Sequence, residues 1–168
     1  MTVSGKLVNL RPINENDTDL IVKWRKNPSV RENFIFRELF SPEMHQKWLE
    51  NKVFTGEVIQ YIIEDKTGLP VGSVYFRDID RQNESAEYGI FIGENSARGK
   101  GFGSETAILF TDYGNSIGLK HIILRVLKDN IAAEKSYIHA GFIPIREEVA
   151  VTSDGESVDI IIMEKKYD

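Results

Sequence analysis

The 168-residue chain has no cysteine, which excludes a disulfide scaffold, a thiol nucleophile and a thiolate metal site together. It has only three histidines, His45, His121 and His139, and none stands at a ligand spacing such as H-E-x-x-H, so no metal is expected. Long apolar runs are missing too: Ile122 to Leu124 and Ile160 to Met163 fall far short of a membrane span. The opening residues, Met1 to Lys6, lack the apolar stretch that directs export, and the expectation is a cytoplasmic protein. Positive charge is in deficit, with 21 basic against 26 acidic side chains for a net −5. Such a chain has no basic footprint for a phosphate backbone, so neither nucleic acid nor membrane is expected as a partner.

What is present reads as a packed domain. Hydrophobic residues make up 41% and charged residues 28%, proportions that neither a disordered nor a fibrous chain shows. No repeat, linker or low-complexity stretch divides the chain, and its length fits one domain over residues 1–168. Lys6 to Pro12 alternates as a first strand. Cap residues at Asn14 to Asp17 precede a helix carrying Leu20, Ile21 and Trp24, which Asn27-Pro28 stops. Ser41-Pro42-Glu43 opens a second helix, with Met44, Trp48 and Leu49 expected on its inner face. Val58 to Glu64, Pro70 to Phe76 and Ala86 to Ile92 read as an antiparallel meander, its first turn at Asp65 to Gly68. A helix through Ala107 to Tyr113, a buried strand at His121 to Leu127 and a helix at Asn130 to Ala140 follow, with Gly141 as its C-terminal cap. Two last strands, Phe142 to Val151 and Ser157 to Lys165, turn at Asp154-Gly155. The order β-α-α-β-β-β-α-β-α-β-β is that of a mixed α/β domain.

One segment has a mechanism for holding an anion. Glu94 to Ser104 follows a strand and opens a helix, and it contains Arg98, Gly99, Lys100, Gly101, Phe102, Gly103 and Ser104. A helix N-terminus offers unpaired N–H groups and partial positive charge, and glycines let the backbone approach a pyrophosphate closely. Two phosphate motifs fail here: a Walker loop needs glycine at 94 and Ser or Thr at 101, and a dinucleotide loop from Gly99 needs glycine at 104. Gly114-Asn-Ser116-Ile-Gly118 spells the nucleophile elbow of hydrolases, but that elbow lies between a strand and a helix, whereas here a helix precedes a strand.

Spaced matches strengthen the anion reading. Arg98-x-x-Gly101-x-Gly103 is followed by a strand and then by Asn130-x-x-Ala133-x-x-x-Tyr137-x-x-x-Gly141-Phe142. Together these resemble the GNAT superfamily of N-acetyltransferases, over residues 85–142. Looser matches at Leu7-x-x-Leu10-Arg-Pro12, Trp24-Arg25-x-Asn27-Pro28, Glu43-x-His45-x-x-Trp48-Leu49 and Ala86-Glu-Tyr-Gly-Ile90 resemble its RimJ/RimL branch, including amino-sugar and nucleotide-sugar acetyltransferases.

The resemblance implies a mixed, mostly antiparallel sheet of about six or seven strands, flanked by about four helices and splayed between its central strands. It implies acetyl-CoA as co-substrate, with pyrophosphate on residues 98–104 and pantetheine along Phe91 and Ile92. Tyr137 would protonate the leaving thiolate, a task suited to a phenol that stays protonated at neutral pH. Asn130 would fix the strand-to-helix turn or touch pantetheine. Glu87 is the candidate base, with holding Arg25 or orienting substrate as its alternative tasks and Glu84 and a water chain as competitors for the base. Trp24, Arg25 and Glu87 are candidates for the acceptor site, although helically spaced tryptophans also serve as core. The expected acceptor is a primary amine, either a protein N-terminus or a small molecule such as an amino sugar. A non-catalytic acyl-CoA sensor is the alternative, and a homodimer is left open.

Charge in the acceptor region discriminates weakly. Residues 14–57 hold 8 acidic against 7 basic side chains, too balanced for a polycation site, while Arg25, Arg31 and Arg37 are available to a phosphate or carboxylate.

Overall fold

The computed structural model describes residues 1–168. Its strands are β1 (Val3–Ser4), β2 (Val8–Pro12), β3 (Ile59–Asp65), β4 (Pro70–Asp80), β5 (Ser85–Ile92), β6 (His121–Leu127), β7 (Ile143–Val151) and β8 (Ser157–Lys166). The helices are α1 (Thr18–Lys26), α2 (Pro28–Arg31), α3 (Pro42–Trp48), α4 (Phe102–Ser116) and α5 (Ile131–His139). One sheet carries all eight strands in the order β1-β2-β3-β4-β5-β6-β8-β7. Every neighbouring pair is antiparallel except β5 with β6. The sequence pattern does not show β1, which is two residues long, or α2, a single turn that starts at Pro28; the expected stop at Asn27-Pro28 does end α1 at Lys26. Pro28 stands in the first turn of α2, where its missing N–H costs nothing, and the Asn27 side chain caps that turn by accepting from Ser29 N–H.

Two cores lie on opposite faces of the sheet, as the period-two alternation of strands requires. Tyr61 and Ile63 of β3 join Ala86 and Tyr88 of β5 under α4, where Phe76 and Phe110 stack with centroids 4.4 Å apart. Ile62 and Phe91 point the other way, into a smaller core with Ile21, Trp24, Val30 and Leu49 beneath α1 to α3. On α3 the expected inner face is corrected: His45 is buried, as is Leu49 just beyond the helix, and Met44 faces solvent. The elbow-like Gly114 is an interior residue of α4, and a Cβ there would come within 2.7 Å of the Phe76 ring, so close helix–sheet packing accounts for it. No helix is long and apolar enough to cross a membrane.

The feature that shapes the site is the β5–β6 seam. These strands pair only where Ser85 to Glu87 meet His121 to Ile123. β4 follows β5 as far as Ile92, and β8 follows β6 as far as Leu127, so each half of the sheet stays intact while the seam opens.

Candidate active site

A groove of about 840 Å³ runs through this opening. Its walls include Phe91 and Ile92 of β5, Val126 and Leu127 of β6, the loop at Arg98 to Ser104, Asn130 and Tyr137.

At one end α4 begins. Gly101 stands before it at φ +83°, a left-handed conformation that favours glycine, and no side chain caps the helix. The first α4 turn bonds Glu105 N–H to the Gly101 carbonyl, which leaves the amides of residues 102–104 free to meet an anion. By contrast, α3 is capped by Ser41 and α5 by Asn130, whose side chain accepts from Ala133 N–H at 3.3 Å. Asn130 therefore performs the turn-fixing task and lines the groove at once. Ser104 Oγ lies 2.8 Å from Ser136 Oγ and ties the start of α4 to α5. Arg98 is drawn sideways, donating to Ser29 Oγ at 2.9 Å and to the Ile92 carbonyl at 3.0 Å. Lys100 is exposed and lies outside the groove, so of the two loop cations only Arg98 lines it.

Tyr137 is half-buried on α5, edge-on to Tyr88 and Phe142, and its hydroxyl has no partner within the chain. Burial raises its pKa above the ordinary phenol value, so it is protonated at neutral pH. The buried Tyr88 hydroxyl beside it is also unpartnered.

The opposite end is walled by Arg25, Phe34, Phe36, Phe40, His45 and Trp48 over the sheet residues Gln60, Tyr75, Arg77, Glu87 and Arg125. Glu87 does not hold Arg25. One of its oxygens accepts from Arg77 Nε and the other from Arg125 Nε at 2.8 Å, so removing a proton from an acceptor would disrupt one of two ion pairs. Trp24, a candidate for the acceptor wall, is instead in the core: it is 1% exposed and donates from Nε1 to Glu94 at 2.9 Å. Trp48 is the tryptophan on the wall, its indole N–H donating to Gln60 Oε1 at 3.1 Å. Arg31 and Arg37 serve the 32–40 loop, Arg31 donating to the Arg37 carbonyl and Arg37 to Phe34 and Glu32 carbonyls and to Glu156.

His45 was legible in the sequence only as part of a motif, and its role comes from its partners. His45 Nδ1 lies 2.8 Å from Thr18 Oγ1, which also meets the Glu15 carbonyl at 3.2 Å and accepts from Gln46 at 2.6 Å. His45 Nε2 is buried and unpartnered. Burial pulls the imidazole down to about 4, aided by the Arg25 charge and opposed by Asp17.

The profile described as "Acetyltransferase (GNAT) domain" matches residues 8–143. The chain belongs to this GNAT family. Among curated relatives, an uncharacterized protein of Methanocaldococcus jannaschii is 32% identical over 134 residues, covering 79% of this chain and 27% of that protein. The uncharacterized N-acetyltransferase YobR of Bacillus subtilis is 30% identical over 139 residues, covering 74% of this chain and 50% of YobR. The chain thus spans half or less of the length of these two relatives. Among solved structures, spermidine N-acetyltransferase from Vibrio cholerae, in complex with CoA and spermine, superposes with TM-score 0.88 at 21% identity, covering 96% of each chain. That likeness shows the fold.

Proposed function

We propose that this GNAT domain transfers an acetyl group from acetyl-CoA to a primary amine. The observation that carries the reading is the uncapped α4 start opening onto the split β5–β6 seam, with the free Tyr137 hydroxyl in the same groove. The residues fit the co-substrate. The amides of 102–104 and the left-handed Gly101 form a cradle for its pyrophosphate. The backbone of Phe91 and Ile92 borders the slot where an extended pantetheine arm would lie.

Acetyl-CoA supplies a thioester carbonyl. Unpaired β5 backbone along the seam is the place for a donor to the developing oxyanion. The amine must reach the carbonyl neutral, and with Glu87 engaged by two guanidinium groups, its proton leaves through groove water. The C–N bond forms, the C–S bond breaks, the Tyr137 hydroxyl gives the thiolate its proton, and the proton lost from the new amide nitrogen is returned to Tyr137 through groove water. Glu87 is assigned to holding Arg77 and Arg125 in place. The RimJ/RimL-type matches at Leu7 to Pro12 and Glu43 to Leu49 support placing the chain in that branch.

The test is calorimetry with CoA together with thiol release from acetyl-CoA across protein N-termini, polyamines and amino sugars. Saturable CoA binding with turnover of at least one acceptor is expected. Absence of both would refute the reading.

A further inference from the structure

The acceptor end of the groove has a charge opposite to that of the chain. The protein carries net −5, yet the groove is lined by four arginines, Arg25, Arg77, Arg98 and Arg125, and by a single carboxylate, Glu87. Arg98 belongs to the α4 end. The other three lie at the acceptor end, where Glu87 is shared between Arg77 and Arg125.

Arg25 has no carboxylate partner. Its guanidinium sits 4.0 Å from the Phe34 ring centroid and 4.7 Å from that of Phe40, and it donates to the Phe36 carbonyl at 3.2 Å. Burial pulls it down to about 10, opposed by Tyr75 and aided by the Arg77 charge. Structural arginines at partly buried positions are normally paired, as Arg11 is with Asp17 and Glu64 and Arg37 with Glu156. A guanidinium fixed by ring stacking, with most of its five donors unspent, is pre-organised for a bidentate oxyanion. The aromatic wall around it limits water and strengthens any charge pair formed there.

We propose that the acceptor is a phosphorylated amine and that Arg25 anchors its phosphate, with Arg77 and Arg125 supplying supporting positive charge. This rests on the acetyltransferase reading and narrows its substrate class. It would set this chain apart from spermidine N-acetyltransferase, one of the proteins that share its fold, because a polycation would enter against a net charge of about two positive units at this end.

The probes are glucosamine, glucosamine 6-phosphate and spermidine, titrated by calorimetry into the CoA-saturated chain and assayed for thiol release from acetyl-CoA. Saturation with CoA occupies the α4 cradle, so any preference reports on the acceptor end. Glucosamine 6-phosphate is expected to bind ten- to hundredfold more tightly than glucosamine, the range of one charge-assisted contact, and to weaken with added salt. Arg25→Gln should remove that preference and Arg25→Lys should retain part of it, both with CoA affinity kept. Equal binding of the two sugars, binding of neither, faster turnover of spermidine, or a preference undiminished in Arg25→Gln would overturn the proposal. Should Arg25→Gln not fold, the wild-type preference and its salt dependence decide alone. Failure of CoA itself to bind is a different result, because it removes the acetyltransferase reading and this proposal with it.

Discussion

Acidification should weaken the fold through His45 in particular. The ring is 1% exposed, its Nδ1 is engaged by Thr18 Oγ1, and its Nε2 has no partner to stabilise an added charge. In the unfolded chain the imidazole binds a proton as pH falls through 6.5, whereas the folded ring resists until about 4. Between those values the unfolded state holds more protons, so stability is fully present above 6.5 and is lost as pH falls toward 4. At about 1.4 kcal/mol per pH unit the interval from 6.5 to 4 corresponds to about 3 kcal/mol. That is a large share of the roughly 5–15 kcal/mol that holds a domain together. Carboxylates titrate over the same range, so the assay is a difference: urea unfolding from pH 7 to pH 4 for the wild type and for His45→Asn, which keeps a hydrogen-bonding group for Thr18 without a titrating ring. The wild type should lose about 3 kcal/mol more than the variant across the interval. Parallel profiles, or an NMR titration midpoint for His45 near 6.5, would refute the reasoning.

Other perturbations separate the parts of the site. Gly101→Val forces a β-branched residue to φ +83° and should weaken CoA binding at least tenfold by calorimetry, more than Arg98→Ala, whose guanidinium is spent on Ser29 and Ile92. A larger loss in Arg98→Ala would show that charge rather than backbone geometry supplies the affinity. Tyr137→Phe should lower turnover about a hundredfold or more with CoA affinity kept within about twofold; unchanged turnover would take the proton-donor role from it, and a sensor without catalysis would be indifferent to the change. Phe76→Ala empties one side of the stacked Phe76–Phe110 pair and should cost about 3–5 kcal/mol in chemical denaturation. A loss below about 1 kcal/mol would mean that α4 closes onto the gap.

Local chemistry made much of this protein legible before any fold was known. Strand alternation, the Ser41 and Asn130 caps, the turns at Asp65 to Gly68 and Asp154-Gly155, and the left-handed glycines are short-range effects that neighbouring residues decide. The glycine loop stood out because it joins a strand to a helix, and Tyr137 stood out only through the resemblance to the family motif on α5. Tertiary packing decided the rest. Trp24 and Trp48 share helical spacing, and only the position of Phe91 and Glu94 beneath α1 sends Trp24 to the core while Trp48 reaches the groove. Arg25, Arg31 and Arg37 are equivalent along the sequence, but folding returns Glu156 to Arg37 and leaves Arg25 without a counter-charge. Glu87 meets Arg77 from β4 and Arg125 from β6, residues 10 and 38 positions away, so its partners follow from register across three strands. His45 likewise finds its one side-chain partner in Thr18, 27 residues earlier. A sequence states which groups a chain owns, and their charge and accessibility depend on neighbours that long-range pairing alone brings together.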